Sequence, residues 1–254
     1  MIARFLLMLL VMGLAAPLLA DEPVRSGYEF MEPDTRRLQD DDFLNPGFFL
    51  VEDGQRLWSA KIGASGQSCA DCHGEVEASM AGVAAGYPVF DPAAGKVFNL
   101  QTRIHSEMVE RMHAPPMAYD ADEILALTAL IALQSRGLEM RPTLTAGAEA
   151  IIEQGREIYE TRRGQLNLSC AQCHVDHAGQ RLRGDMISQG QINAFPIYRL
   201  IWDAPGSTHR MFEWCMQAVR AEPFKRGSEE FLALELFLAQ RGAGLKMEAP
   251  GVRR

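Results

Sequence analysis

Five cysteines define the chemistry open to this 254-residue chain. Four of them fall in two matching frames, Cys69-Ala-Asp-Cys72-His73 and Cys170-Ala-Gln-Cys173-His174, and the fifth, Cys215, stands alone. C-x-x-C-H is the attachment signal of a c-type haem. Two thiols add to the porphyrin vinyl groups, the two residues between them span those vinyls, and the adjacent His comes beneath the iron as its proximal ligand. The frames therefore predict two covalently attached haem c groups, anchored by Cys69, Cys72, Cys170 and Cys173, with His73 and His174 on the metal. Four-cysteine zinc sites usually space their pairs about 15 to 20 residues apart. Here almost a hundred residues separate Cys72 from Cys170, and neither zinc nor a redox dithiol explains a His directly behind each pair.

The sixth iron ligand decides what each haem does. For the second haem the candidates before the closing helix are His177, Met186, His209, Met211, Cys215 and Met216. Once four thioethers have formed, Cys215 is the only thiol left. In an exported protein that leaves an intermolecular disulfide, an inert buried thiol or a thiolate held by metal. Its place shortly before the closing helix is where such folds bring a distal ligand to iron. A thiolate there lowers the iron potential and makes its own sulfur the reactive part.

These residues must be positioned by helices. The order of parts repeats: an apolar stretch from Phe48 to Ile62 precedes the first motif, and an amphipathic helix at about Ala121 to Arg136 follows it. Asp120 is its expected N-cap, with Glu123 completing a capping box and Gly137 as stop. In the second half a helix at about Ala146 to Arg162 precedes the motif, and one from Glu229 to Arg241 closes it, with Ser228 as N-cap and Gly242 as stop. A Pro/Gly/Thr-rich stretch from Gly137 to Gly147 is the natural join, and no run of alternating strands stands out. The expectation is a mainly α protein of two tandem cytochrome c-like haem domains, residues 21–140 and 141–254.

Residues 1–20 read as a signal peptide, with Arg4, an apolar run from Phe5 to about Ala15, Pro17 and then Leu18-Leu19-Ala20. That apolar run is shorter than the ~20 residues of a spanning helix, so the expected location is the periplasm, with no span in the mature chain. Net charge is −8. An acidic chain has no general field for nucleic acid, so an anionic substrate needs a local basic cluster.

Long literal stretches carry a family resemblance. Arg163 to His174, Asn193-Ala-Phe-Pro-Ile-Tyr-Arg199, His209-Arg210 up to Cys215, Arg220-Ala-Glu-Pro223 and Ala249 to Arg254 resemble the SoxA cytochromes. So do Ser68 to Gly74, Ser79 to Ala85, Asn99 to Ile104 and Leu133 to Gly137. The resemblance implies an L-cysteine S-thiosulfotransferase of bacterial sulfur oxidation. Such an enzyme pairs with a monohaem cytochrome of SoxX type and joins thiosulfate oxidatively to a cysteine of a SoxYZ-type carrier protein, releasing two electrons. It also implies that Cys215 is the distal ligand of the second haem, a persulfide carrier and the catalytic sulfur. A basic cluster of Arg210, Arg220, Lys225 and Arg226 would hold the thiosulfate dianion, with Arg210 the first candidate.

The chain departs from the family at two places. Where the family has a second arginine four residues before the catalytic cysteine, this chain has Met211. Where dihaem members place a cysteine as distal ligand of the first haem, it has Glu107, and a carboxylate suits low-spin haem poorly. A neighbour is then expected to ligate, His105 first, or Met108, Met112 or His113. Two other functions fit the motifs: a dihaem electron carrier without its own catalysis, and an enzyme coupling two thiosulfates to tetrathionate.

Overall fold

A computed structural model describes residues 23–254; the expected leader lies outside the described residues. The first half contains α1 (Pro33–Asp40), α2 (Phe48–Ser59), α3 (Cys69–His73), α4 (Val76–Ser79), the hairpin β1 (Val89–Asp91) and β2 (Lys96–Phe98), α5 (Leu100–Glu110) and α6 (Asp122–Leu133). The second contains α7 (Ala148–Glu160), α8 (Cys170–His174), the small hairpin β3 (Arg181–Leu182) and β4 (Asp185–Met186), then β5 (Ile197–Arg199), β6 (Ala204–Gly206), α9 (Thr208–Ala218), α10 (Glu229–Arg241) and β7 (Gly251–Arg253). These are two helical units in tandem, the architecture that the repeated order of parts predicts.

Each unit is built on one helix crossing, α2 against α6 and α7 against α10. Both crossings need a glycine. A Cβ on Gly54 would collide with the Ala126 carbonyl, and one on Gly155 with the Ala233 carbonyl. Backbone so close to backbone lets the flanking side chains interlock, and the two glycines keep the same spacing as the two cysteine motifs. Trp58, Val76, Ile104, Met108, Leu127 and Leu130 fill the first core. Tyr159, Met216, Phe231, Leu234 and Leu238 fill the second. At about 1.5 to 3 kcal/mol for each large apolar side chain buried, these clusters are the main term holding the helices in place.

Two local expectations change. Asp120 is not the cap of α6: Ala121 holds that position without a side-chain bond, and no capping box forms. Asp120 instead accepts from Gln101 Nε2 at 3.2 Å and pairs with Arg226 at 2.8 Å, because a charged partner outcompetes a cap. The one-sided pattern of α6 also gives way to burial on all sides, from Ile124 through Ala132. α10 runs as expected, Glu229–Arg241, with Ser228 Oγ accepting the Phe231 N–H.

The short strands repeat as well. β1 pairs with β2 in the same antiparallel register as β5 with β6, and a cis proline, Pro88 or Pro196, stands just before each pair. β7 then adds in parallel to β5, bringing the C-terminus back across the molecule. There the Val252 N–H donates to Gln39 at 3.0 Å, and Pro250 packs on Gly47. The join from Gly137 is pinned by the same tail, Met140 N–H to Leu245 O at 2.7 Å and Met247 N–H to Leu138 O at 2.8 Å.

Candidate functional site

Both C-x-x-C-H motifs are one-turn helices with the same start. Ser68 Oγ accepts the Asp71 N–H while the Asp71 carboxylate takes the Ser68 N–H, and Ser169 and Gln172 do likewise at the second motif. The signature Ser-x-x-Asp or Ser-x-x-Gln was legible in the sequence and is the signal for these helices. A helical turn brings cysteines three apart onto one face, the geometry two vinyl groups require.

At the second motif the surroundings suit a haem. His174 Nδ1 donates to the Ser188 carbonyl at 2.8 Å, which leaves Nε2 as the free lone pair. Burial lowers the pKa of this imidazole and keeps it neutral, as a metal ligand must be. Gly190 (φ +73) lies so close to the ring that a Cβ there would stand 2.9 Å from it, so only glycine lets Ser188 reach His174. Val175 and Trp214, next in chain to His174 and Cys215, are exposed apolar side chains of the kind a porphyrin covers.

α9 is launched by Ser207, whose Oγ accepts the Arg210 N–H. Burial, with the nearby Cys170 and Cys173 adding to it, pushes the Cys215 thiol on this helix up to about 12, while Arg199 acts the other way. The polypeptide alone thus holds this sulfur neutral, and a cation bound at the sulfur is what would make it a thiolate. Cys215 has no disulfide partner within the chain.

Arg199, at the end of β5, is the residue that sequence reasoning missed. Its guanidinium carbon lies 5.4 Å from the ring centre of Trp202 and 5.7 Å from that of Trp214, and its buried Nε has no hydrogen-bond partner. A half-buried guanidinium with an unpartnered Nε near a sulfur is suited to an anion's oxygens. The signal available was the arginine closing Asn193 to Arg199, which the apolar residues around it had hidden.

The expected basic cluster does not assemble here. Arg210 Nη1 donates to the Pro205 carbonyl at 2.6 Å and its guanidinium packs on Trp202. Arg226 is taken by Glu213 and Asp120. Arg220 lies beside Gln165 across the turn at Arg163 and Gly164.

His209 is placed elsewhere too. It is fully buried between the units, stacked on Tyr119 at 4.6 Å, its Nδ1 accepting the Gly227 N–H at 2.9 Å and its Nε2 lying 2.9 Å from Glu235. Asn99 Nδ2 donates to Glu235 at 2.6 Å from the first unit. His209 is therefore a clasp between the units rather than an iron ligand.

At the first motif His73 lies 5.9 Å from the Trp58 ring, and Trp58 Nε1 donates to the Gly74 carbonyl at 2.9 Å. Glu107 stands eight residues beyond the cap Asn99, as Cys215 stands eight beyond Ser207. The structure does not bring His105 to Glu107's face. Two residues along a helix are about 200° around it, and His105 Nε2 accepts the Met117 N–H at 3.1 Å. Its ring lines a separate cavity of about 490 Å³ with Lys96, Phe98, Ile151 and Leu232.

The family model for the SoxA/TsdA cytochrome c domain matches residues 53–140 and 154–247. Among curated proteins, the chain is 44% identical over 232 residues to the L-cysteine S-thiosulfotransferase subunit SoxA of Rhodovulum sulfidophilum, covering 91% of this chain and 81% of that one. It is 42% identical to the subunit of the same name from Paracoccus pantotrophus, covering 91% and 80%. The crystal structure of SoxXA from P. pantotrophus superposes with a TM-score of 0.87 over 91% of this chain and 87% of that one.

Proposed function

The chain belongs to the SoxA/TsdA cytochrome c family, and from that premise we propose that it is the SoxA-type subunit of an L-cysteine S-thiosulfotransferase, with Cys215 as its catalytic sulfur. What supports this reading is the proximity of the half-buried Cys215 to Cys170, Cys173 and Arg199, beside the Trp202 and Trp214 rings. The overall reaction joins thiosulfate to a carrier cysteine: one S–S bond forms, the thiol proton leaves, and two electrons are released. Haem c, when bound at each motif, takes such electrons one at a time.

The chain's own residues supply the rest. Cys170 and Cys173 would anchor one haem, and Cys69 and Cys72 a second. His73 would hold the iron of one haem, and His174 with Cys215 that of the other. Arg199 would take the sulfonate oxygens of thiosulfate, a role for which its free Nε suits it and for which Met211 offers no charge. Arg210, held to Pro205, would steady the Trp202 wall behind Arg199. A SoxX-type cytochrome would receive the electrons and a SoxYZ-type carrier would receive the thiosulfate, in the periplasm. No helix among the described residues is long and apolar enough to cross a membrane.

The test replaces Cys215 with Ala in the haem-loaded complex and follows the carrier cysteine by mass spectrometry. The expected result is no thiosulfate adduct on the carrier. An adduct formed at the wild-type rate would overturn the assignment and leave a carrier of electrons, and tetrathionate as product without any carrier adduct would favour thiosulfate coupling instead.

A further inference from the structure

The two units share one plan, so their distal sides can be compared position by position. Strand pairs β1–β2 and β5–β6 have the same register, and the caps Asn99 and Ser207 start α5 and α9 at equivalent points. On that correspondence Arg199 matches Asp91, Met211 matches Arg103, and Cys215 matches Glu107. The second unit thus presents an arginine and a sulfur, and the first presents two carboxylates around an arginine.

The carboxylates are engaged. Arg103 lies 3.6 Å from Asp91 and 4.0 Å from Glu107, and Arg111 donates to Glu107 at 2.7 Å. The nitrogen and sulfur donors nearby are directed elsewhere. His105 faces the far side of α5 and accepts the Met117 N–H. Met108, only 2% exposed, packs with Ile104 in the first core on the face that Met216 fills in the second. Met112 is buried in that same core, and its carbonyl accepts the Ser65 N–H. His113 sits at the left-handed turn that Arg220 occupies in the second unit, its carbonyl accepting the Ala64 N–H.

We infer that the first haem is faced on its distal side by the ion-paired Glu107 rather than by a sulfur or nitrogen ligand, leaving its iron an exchangeable sixth position for small neutral donors. Oxygen donors are hard and give ferric haem a weak ligand field, and a carboxylate shared by two guanidiniums is a poorer donor still. The two irons then differ in kind: one capped by sulfur and saturated, the other weakly ligated and open. This inference rests on the proposal that both motifs carry haem.

The experiment uses the ferric haem-loaded complex, with intact mass to count haems, electron paramagnetic resonance to read spin state, and imidazole as probe. Two haems per chain, one haem equivalent of high-spin signal, and its loss on imidazole addition are expected. In Glu107→Cys the high-spin signal should vanish without imidazole, since a thiolate then saturates the iron. If that variant fails to fold, the wild-type titration decides alone. Two haems that are both low-spin, with spectra indifferent to imidazole, would overturn the inference while leaving the two-haem proposal intact. A mass with one haem would overturn the two-haem proposal, and the inference with it.

Discussion

On the proposed reading, a single arginine would govern how this site meets an anion. Arg199 is kept from other partners by the Trp202 and Trp214 rings, so its charge stays available where Arg210 and Arg226 have spent theirs on Pro205, Glu213 and Asp120. Removing one charge-assisted bond costs about 2 kcal/mol, roughly thirtyfold in affinity. Arg199→Gln should therefore raise KM for thiosulfate by about that factor with the haem spectrum unchanged, and Arg199→Lys should recover part of it. Steady-state kinetics with the carrier protein as acceptor check this; a fall confined to kcat would assign Arg199 another role.

Among the elements, the helix crossings bear the strain of any added bulk. Gly155 of α7 lies against the Ala233 carbonyl and Phe237 Cβ, and backbone cannot yield as a side-chain tip can. Gly155→Ala should destabilise the haem-loaded chain by about 2 kcal/mol or more despite alanine's better helix propensity. Thermal unfolding followed by circular dichroism would show a lower Tm, and an unchanged Tm would mean that α7 and α10 can separate without loss. The same crossing carries α8, packed on α7, and α9, packed on α10, so its geometry sets how the two elements bearing Cys170 and Cys215 approach each other.

At the level of the whole molecule, the two units are joined by polar groups as well as by the C-terminal tail. Asn99 caps α5 and also reaches across to Glu235, which lies beside His209. Truncation to Ala removes the cap and leaves a buried carboxylate short of a donor, together about 2 to 4 kcal/mol. The expected outcome of Asn99→Ala is a lower denaturant midpoint for both units together, read by chemical unfolding. If only the first unit loosens, the clasp does not couple them.

The cytochrome c family and the tandem of helical units were legible in the sequence, because the C-x-x-C-H motifs and the repeated order of helices are written along the chain itself. The periodic stop and start signals placed α10 to the residue for the same reason: caps are local. Asp120 was misjudged from sequence for the opposite reason, and the fold gives the His105 ring the Met117 N–H as its partner. A carboxylate or an imidazole chooses among partners as far as a hundred residues away, and the winner depends on which face of a helix is turned to which neighbour. Only the folded chain decided that Arg199 comes near Cys215, that Arg210 and His209 are engaged by Pro205 and Glu235, and that Glu107 is held by arginines. Such pairings depend on distances of a few ångströms between segments remote in the chain, and distance is what sequence order does not record.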